Sequence, residues 1–143
     1  MMSQNGRILC LDIGQVRIGI AVSDPLCMIA QGIGIIKAGG LWLNELDGFV
    51  ARYSPAVILL GYPVRTDGSI GPEAQHILEV SEVLKERYPS VSIRLWDERY
   101  TTTIATRTLI EGGMRRDKRR SRVDAMAAAI ILQDYIEYLG RKK

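Results

Sequence analysis

The chain has 143 residues, 47% hydrophobic and 24% charged, which suits one compact domain spanning 1–143 and leaves little room for a second. Its longest apolar run, residues 125–132, is far short of the roughly 18 residues of a membrane span, and the opening Met-Met-Ser-Gln-Asn lacks the basic start and apolar stretch of a secretory leader. A cytoplasmic protein with no membrane contact is expected. The formal net charge of +3 is unevenly placed: Arg115, Arg116, Lys118, Arg119, Arg120 and Arg122, against Asp117 alone, carry a local +5 and leave −2 for the remainder. Such a short cationic segment is the pattern of a local polyanion contact, or else of a solvated loop.

In chain order, residues 7–13 and 17–23 are two β-rich runs separated by Gly14, Gln15 and Val16, which predicts a hairpin. A third run around 29–36 follows the Asp24-Pro25 turn signal and extends the meander. From 41 to 53 the spacing of Trp42, Leu46, Phe49, Val50 and Tyr53 predicts a helix, weakened by Gly48. Residues 56–60 are continuously apolar, as in a parallel strand buried on both faces. After a glycine-rich loop, Pro72 stands where a first helical turn favours proline, and Ala74, Ile77, Leu78, Ser81 and Leu84 form the inward stripe. A fifth strand is expected over 91–96, then a threonine-started helix stopping at Gly112-Gly113, then a last helix over about 121–139. The order β-β-β-α-β-α-β-α-α predicts an α/β fold with one mixed five-stranded sheet, three antiparallel strands followed by two parallel ones, flanked by helices.

Cys10 and Cys27 belong to no CxxC or Cys/His cluster, so they read as small buried hydrophobes rather than metal or redox groups. His76 falls off the inward stripe of its helix and reads as a surface residue. The loop 61–72 leads from a strand into a helix N-terminus, a geometry that suits phosphate, yet it lacks the Gly-Lys-Ser/Thr ending of a nucleotide-hydrolysing P-loop. A plain connection would serve equally well.

Carboxylates stand where a packed fold rarely wants them. Asp12 interrupts an apolar strand, where an unpaired charge would be costly; it either needs a partner or caps the Gly14 turn. Trp96-Asp97-Glu98-Arg99 ends the fifth strand, beyond which parallel sheets hold ligands. Asp97 and Glu98 point to opposite faces, so one of them at most joins Asp12. Glu98, with the longer reach, is preferred over its competitor Asp97, although Glu98 and Arg99 also fit ordinary surface charges. Asp124, in Ser121-Arg-Val-Asp124, fits a capping box at a helix start as well as a third acid. Clustered carboxylates repel unless one is protonated or cations neutralise them. An oxygen-only donor set points to Mg²⁺ or Mn²⁺, which support phosphodiester cleavage with neither histidine nor cysteine.

Four ordered motifs, Leu11-Asp-Ile-Gly14 with Arg17-Ile-Gly-Ile-Ala-Val-Ser-Asp24, Gly61-Tyr-Pro with Asp67-Gly-Ser-Ile-Gly-Pro72, Trp96-Asp-Glu-Arg-Tyr-Thr-Thr102, and Val123-Asp124 with Ile131-Leu-Gln133, resemble the YqgF family, also called RuvX. That family is described as Holliday junction resolvases and as nucleases maturing the 5′ end of pre-16S rRNA. The resemblance runs from Ile8 to about Tyr138. It implies a ribonuclease H-like fold and catalytic, metal-holding acids at Asp12, Glu98 and Asp124. It adds Arg17 and Arg99 to the basic run Arg115, Arg116, Lys118, Arg119, Arg120 and Arg122 as nucleic-acid contacts. The chain departs from the family's pattern at Gln15-Val16, where a basic pair is usual, and at Arg65-Thr66, where Asn-Met is usual; both bear on substrate grip.

The expected function is therefore a metal-dependent endonuclease on structured RNA, with branched DNA as the alternative substrate and a monomer or homodimer as the working unit. A non-catalytic nucleic-acid-binding factor is the competing class, separable by an Asp12→Asn variant. An actin-like or sugar-kinase-like ATPase shares the opening Asp-x-Gly strand, but such enzymes enclose ATP between two domains.

Overall fold

The computed structural model describes residues 6–65, 67–98 and 116–141, with side chains of the last helix described from Ala125 onward. Five strands, β1 (Ile8–Ile13), β2 (Arg17–Ser23), β3 (Ala30–Lys37), β4 (Val57–Tyr62) and β5 (Ser92–Asp97), form one sheet in the order β3-β2-β1-β4-β5. The β1-β2 and β2-β3 pairs are antiparallel, and the β1-β4 and β4-β5 pairs are parallel. Among the described residues three helices accompany the sheet: α1 (Trp42–Tyr53), α2 (Pro72–Arg87) and α3 (Arg116–Arg141). The mixed sheet and its strand directions are those expected. The threonine-started helix expected to end at Gly112-Gly113 lies outside the described residues.

Alternation along the central strands sorts the core into two layers, because successive strand side chains point to opposite faces. Ile8, Cys10 and Leu59 pack with Trp96, Ala128, Leu132 and Tyr135 on the α3 side. Leu9, Leu11, Ile18, Ile20, Ile58 and Leu60 pack with Leu46, Ile77, Val80 and Leu84 on the α1-α2 side. On α2 the buried stripe is Ala74, Ile77, Val80, Ser81 and Leu84. Val80 thus takes the place expected for Leu78, which is half-buried, because the Ile77-Val80-Ser81-Leu84 spacing tracks the sheet more closely.

Helix α3 is held to the sheet by two polar clamps and one close approach. Gln133 accepts the Ala30 amide at 2.9 Å and donates to the Met28 carbonyl at 3.2 Å. Arg94 donates to the Tyr135 hydroxyl at 2.7 Å, while the Tyr135 and Tyr138 rings pack on Trp96 with centroids 5.5 and 5.2 Å away. At Gly32 a Cβ would stand 2.9 Å from the Ala125 carbonyl oxygen, so glycine lets the helix backbone lie against β3. Helix α3 is already formed at Arg116, five residues before its expected start, which places the cations from Arg116 to Arg122 on the helix.

Candidate active site at the sheet edge

Strand register brings two of the expected acids, Asp12 and Glu98, to one edge of the sheet. Leu11 pairs with Leu60 and Gly61 pairs with Trp96, so Asp12, Gly61 and Trp96 form one row across β1, β4 and β5. Asp12 shares the face of buried Cys10, and Trp96 packs in the same α3-side layer. Glu98 follows β5 directly, and its carboxylate folds back over the row: a Cβ on Gly61 would stand 2.9 Å from Glu98 Oε2 and 3.1 Å from Ile131 Cδ1. Asp97 belongs to the alternate face by parity and pairs with Tyr62. Of the two acids that end β5, Glu98 is the one carried onto the Asp12 face.

Electrostatics register the proximity. Glu98 is pushed up to about 7, first by burial, then by the charge of Asp12 and, last, that of Asp97. The Cys10 thiol beneath the pair is held well above its ordinary value, first by burial and then by Asp12 and Glu98. Cys10 is thus the inert floor of the site, as its apolar surroundings demand. Cys27, expected to be buried, is only half-buried; its thiol lies 3.0 Å from the Gly6 carbonyl oxygen, to which it donates.

Asp124 stands inside α3, which already runs through residues 116–123, so Ser121-Arg-Val-Asp124 is not a capping box at a helix N-terminus. Its position is one turn before buried Ala128 and two turns before buried Ile131, on the stripe that meets the sheet. Its side chain lies outside the described residues, as do those of Arg116, Lys118, Arg119, Arg120 and Arg122 and the whole of Arg99 and Arg115. Arg17 is half-buried at the start of β2, two residues before Gly19, the partner of Asp12, and by alternation on the same face. The turn between them is tight: the Gly14 amide donates to the Arg17 carbonyl at 2.9 Å, and a Cβ on Gly14 would stand 2.8 Å from that oxygen.

The donor set is composed of carboxylate oxygens on a half-buried surface, the chemistry that hard divalent cations match. Among the described residues no three His, Cys, Asp or Glu side chains converge, so Asp12 and Glu98 are the described members of the set. Two contributors escaped sequence reasoning. Gly61 provides the space for the Glu98 carboxylate, and its signal, a glycine inside an apolar strand, was legible. Arg65 lies with its guanidinium 2.6 to 2.9 Å from where a Gly71 Cβ would be, against the head of α2; nothing in the local sequence signals that contact.

The sequence profile of the RuvX family, described as Holliday junction resolvase, matches residues 6–138. The chain belongs to the RuvX family. A Desulfitobacterium hafniense protein named "Putative pre-16S rRNA nuclease" is 41% identical over 136 residues, covering 95% of each chain. A Clostridium botulinum protein of the same name is 42% identical over 137 residues, covering 94% of this chain and 99% of its own. Among solved structures, fowlpox virus resolvase in complex with Holliday junction DNA superposes with a TM-score of 0.56 at 14% identity, covering 93% of this chain and 98% of that one. Thermus thermophilus RuvC superposes with a TM-score of 0.53 at 11% identity, covering 94% and 96%. At these identities the likeness concerns the fold, and it confirms the ribonuclease H-like architecture expected of the RuvX chain. RuvX membership makes the chain a nuclease, a hydrolase of phosphodiester bonds. Among the described residues, no helix of the RuvX chain is long and apolar enough to cross a membrane.

Proposed function

We propose that this chain is a metal-dependent endonuclease, folded as one domain over 1–143, that processes the 5′ end of pre-16S rRNA in the cytoplasm. The observation that carries the reading is the pair Asp12 and Glu98, set on one face at the C-terminal edge of β1 and β5 with Glu98 seated over Gly61. The charge of Asp12 helps to raise the half-buried Glu98 carboxyl, a repulsion that a bound cation would relieve. The names of the relatives at 41 and 42% identity support the rRNA substrate.

In this reading Asp12, Glu98 and Asp124 hold Mg²⁺ or Mn²⁺, with Asp124 contributed by the sheet-facing stripe of α3. When bound, the metal supplies Lewis acidity toward the phosphodiester and activates water. Asp12 is held by its pairing with Gly19 on β2, and Glu98 is steered by the wall of Gly61 and Ile131, so both carboxylates are set in place before charge develops. Arg17, Arg99, Arg115, Arg116, Lys118, Arg119, Arg120 and Arg122 grip backbone phosphates, giving affinity with little sequence selectivity. The description of the family profile favours a second substrate, the four-way DNA junction.

The test is incubation of wild type and Asp12→Asn with an end-labelled pre-16S leader and with a four-way DNA junction, each in Mg²⁺, Mn²⁺ or EDTA. Leader cleavage by wild type alone, lost in EDTA, is the expected result. Cleavage confined to the junction substitutes the second reading, and equal binding by both proteins without cleavage of either substrate rejects the enzyme reading.

A further inference from the structure

Behind the carboxylate pair, on the α1-α2 side of the same sheet edge, lies a cavity of about 860 Å³, within the range of small-ligand sites. Three segments wall it: the hairpin turn at Gly14 and Gln15, the β3-α1 connection ending at Trp42, and the first turns of α2 with Glu73 and His76. The first two are tied together, since the Ala38 amide donates to the Val16 carbonyl at 2.9 Å. The rim is apolar without being covered. Val16, Leu41 and Ile70 are 61, 70 and 53% exposed, and each adjoins a lining residue or stands two positions from one.

The placement of this cavity relates it to the acids. Asp12 and Ile13 are consecutive on β1, so their side chains leave the strand on opposite faces, one toward Glu98 and the other into the cavity. Between the two faces the edge is crossed at exposed Gly14, where no side chain bars the way. A nucleic-acid strand with a phosphate at Asp12 needs only to pass over that glycine to bring an adjoining base to the cavity mouth.

The lining matches a base and not its phosphate. Trp42 and His76 offer aromatic faces, on which unstacked bases pack whatever their sequence. Gln15 and Glu73 offer a donor and acceptors for a base edge, and the Glu73 charge opposes entry of an anion. The exposed Arg65 guanidinium, against Gly71 at the head of α2, stands beside the lining residue Pro72 as a phosphate contact outside the cavity. We propose that this cavity is a nucleobase pocket, which takes one unstacked base of the substrate strand next to the phosphate held at the carboxylates. It selects for locally single-stranded substrate, and it rests on the proposed nuclease reading only for the position of that phosphate.

The experiment measures binding in EDTA, so it needs neither metal nor cleavage. Fluorescence anisotropy compares a labelled single-stranded RNA octamer of adenylates with an abasic ribose-phosphate octamer of equal length and charge. The RNA is expected to bind about tenfold more tightly than the abasic chain, as one base stacked on an aromatic ring provides. His76→Ala, at an exposed position, and Trp42→Leu, which keeps an apolar side chain at a half-buried one, should each remove most of that difference and leave abasic binding unchanged. Equal affinity for the two octamers, or a difference that survives both substitutions, overturns the pocket. A base preference lost in both variants upholds the pocket even where the leader and junction assays show no cleavage, so the two readings fail separately.

Discussion

The Glu98 carboxylate rests against Gly61, the residue across the strand pair from Trp96, with Oε2 2.9 Å from where a Cβ would be. The glycine therefore forms the seat of an acid carried by another strand. Ile131 of α3 closes the seat from above, its Cδ1 3.1 Å from the same point, so sheet, helix and acid meet at one position where any added side chain must displace Glu98 or Ile131.

Gly61→Ala should consequently act on chemistry more than on folding. The added methyl forces Glu98 and Ile131 to shift, at about 1–3 kcal/mol of stability as measured by urea unfolding. Cleavage should fall more than tenfold, because a carboxylate displaced by a fraction of an ångström no longer meets Asp12 in the same geometry. An alanine variant that cuts at the wild-type rate would show that the seat is not needed.

Glu98 should leave a signature in stability against pH. Its carboxyl is raised from the ordinary 4.5 to about 7, mainly by burial and then by Asp12 and Asp97, so the folded state binds more protons than the unfolded chain between those values. Stability of metal-free protein is then greatest below about pH 4.5 as far as this group is concerned, and it declines as pH rises toward 7. After allowance for partial exposure, the loss is on the order of 2 kcal/mol. Glu98→Gln should thus raise Tm at pH 8 and leave it nearly unchanged at pH 4.5. Mg²⁺ or Mn²⁺ should raise Tm of wild type at pH 8 and do little for the variant. A wild-type Tm indifferent to divalent cations would count against the metal site.

Asp97 provides the internal control. It precedes Glu98 in sequence yet belongs to the other face, so Asp97→Asn should keep most cleavage activity where Glu98→Gln abolishes it. Steady-state rates on the same substrate decide the assignment, and reversed effects would make Asp97 the second acid.

Away from the site, Arg87 Nε donates to Asp47 Oδ1 at 2.9 Å, and the Tyr88 hydroxyl donates to the same oxygen, which joins α1 to the end of α2. Arg87 and then Tyr88 hold the Asp47 carboxyl down to about 2. Its contribution is complete above the ordinary 3.8 and disappears as pH falls through 2. Asp47→Asn should lower Tm by about 2–4 °C at pH 7, as measured by calorimetry, with no difference near pH 2 and no change in cleavage.

Much of this was legible in the chain because it is periodic. Alternation in 7–13 and 17–23, the continuous apolar run before Gly61, and the helical spacing after Pro72 report local geometry, and an unbroken apolar run marks a strand covered on both faces. Leu78, expected in the stripe of α2, is half-buried, while Val80, which lies next to the same stripe, is buried instead. The choice of Ser121 as a helix start failed because a capping pattern is also an ordinary helical tetrad; the helix already runs through residues 116–120.

By itself the sequence determined the kinds of groups available: an aspartate inside an apolar strand, a second acid at a strand end, a concentrated run of cations, and no histidine or cysteine cluster. Tertiary structure decided which of them meet. Asp12 and Glu98 are 86 positions apart, and their encounter depends on β4 lying between β1 and β5 in parallel register, with a glycine where the glutamate folds back. The cavity beside Trp42 and His76 likewise exists only where three loops converge on one sheet edge. Side-chain chemistry is a property of single residues and can be read one at a time, whereas electrostatic coupling and enclosed volume are properties of distances between segments, set only when the sheet closes.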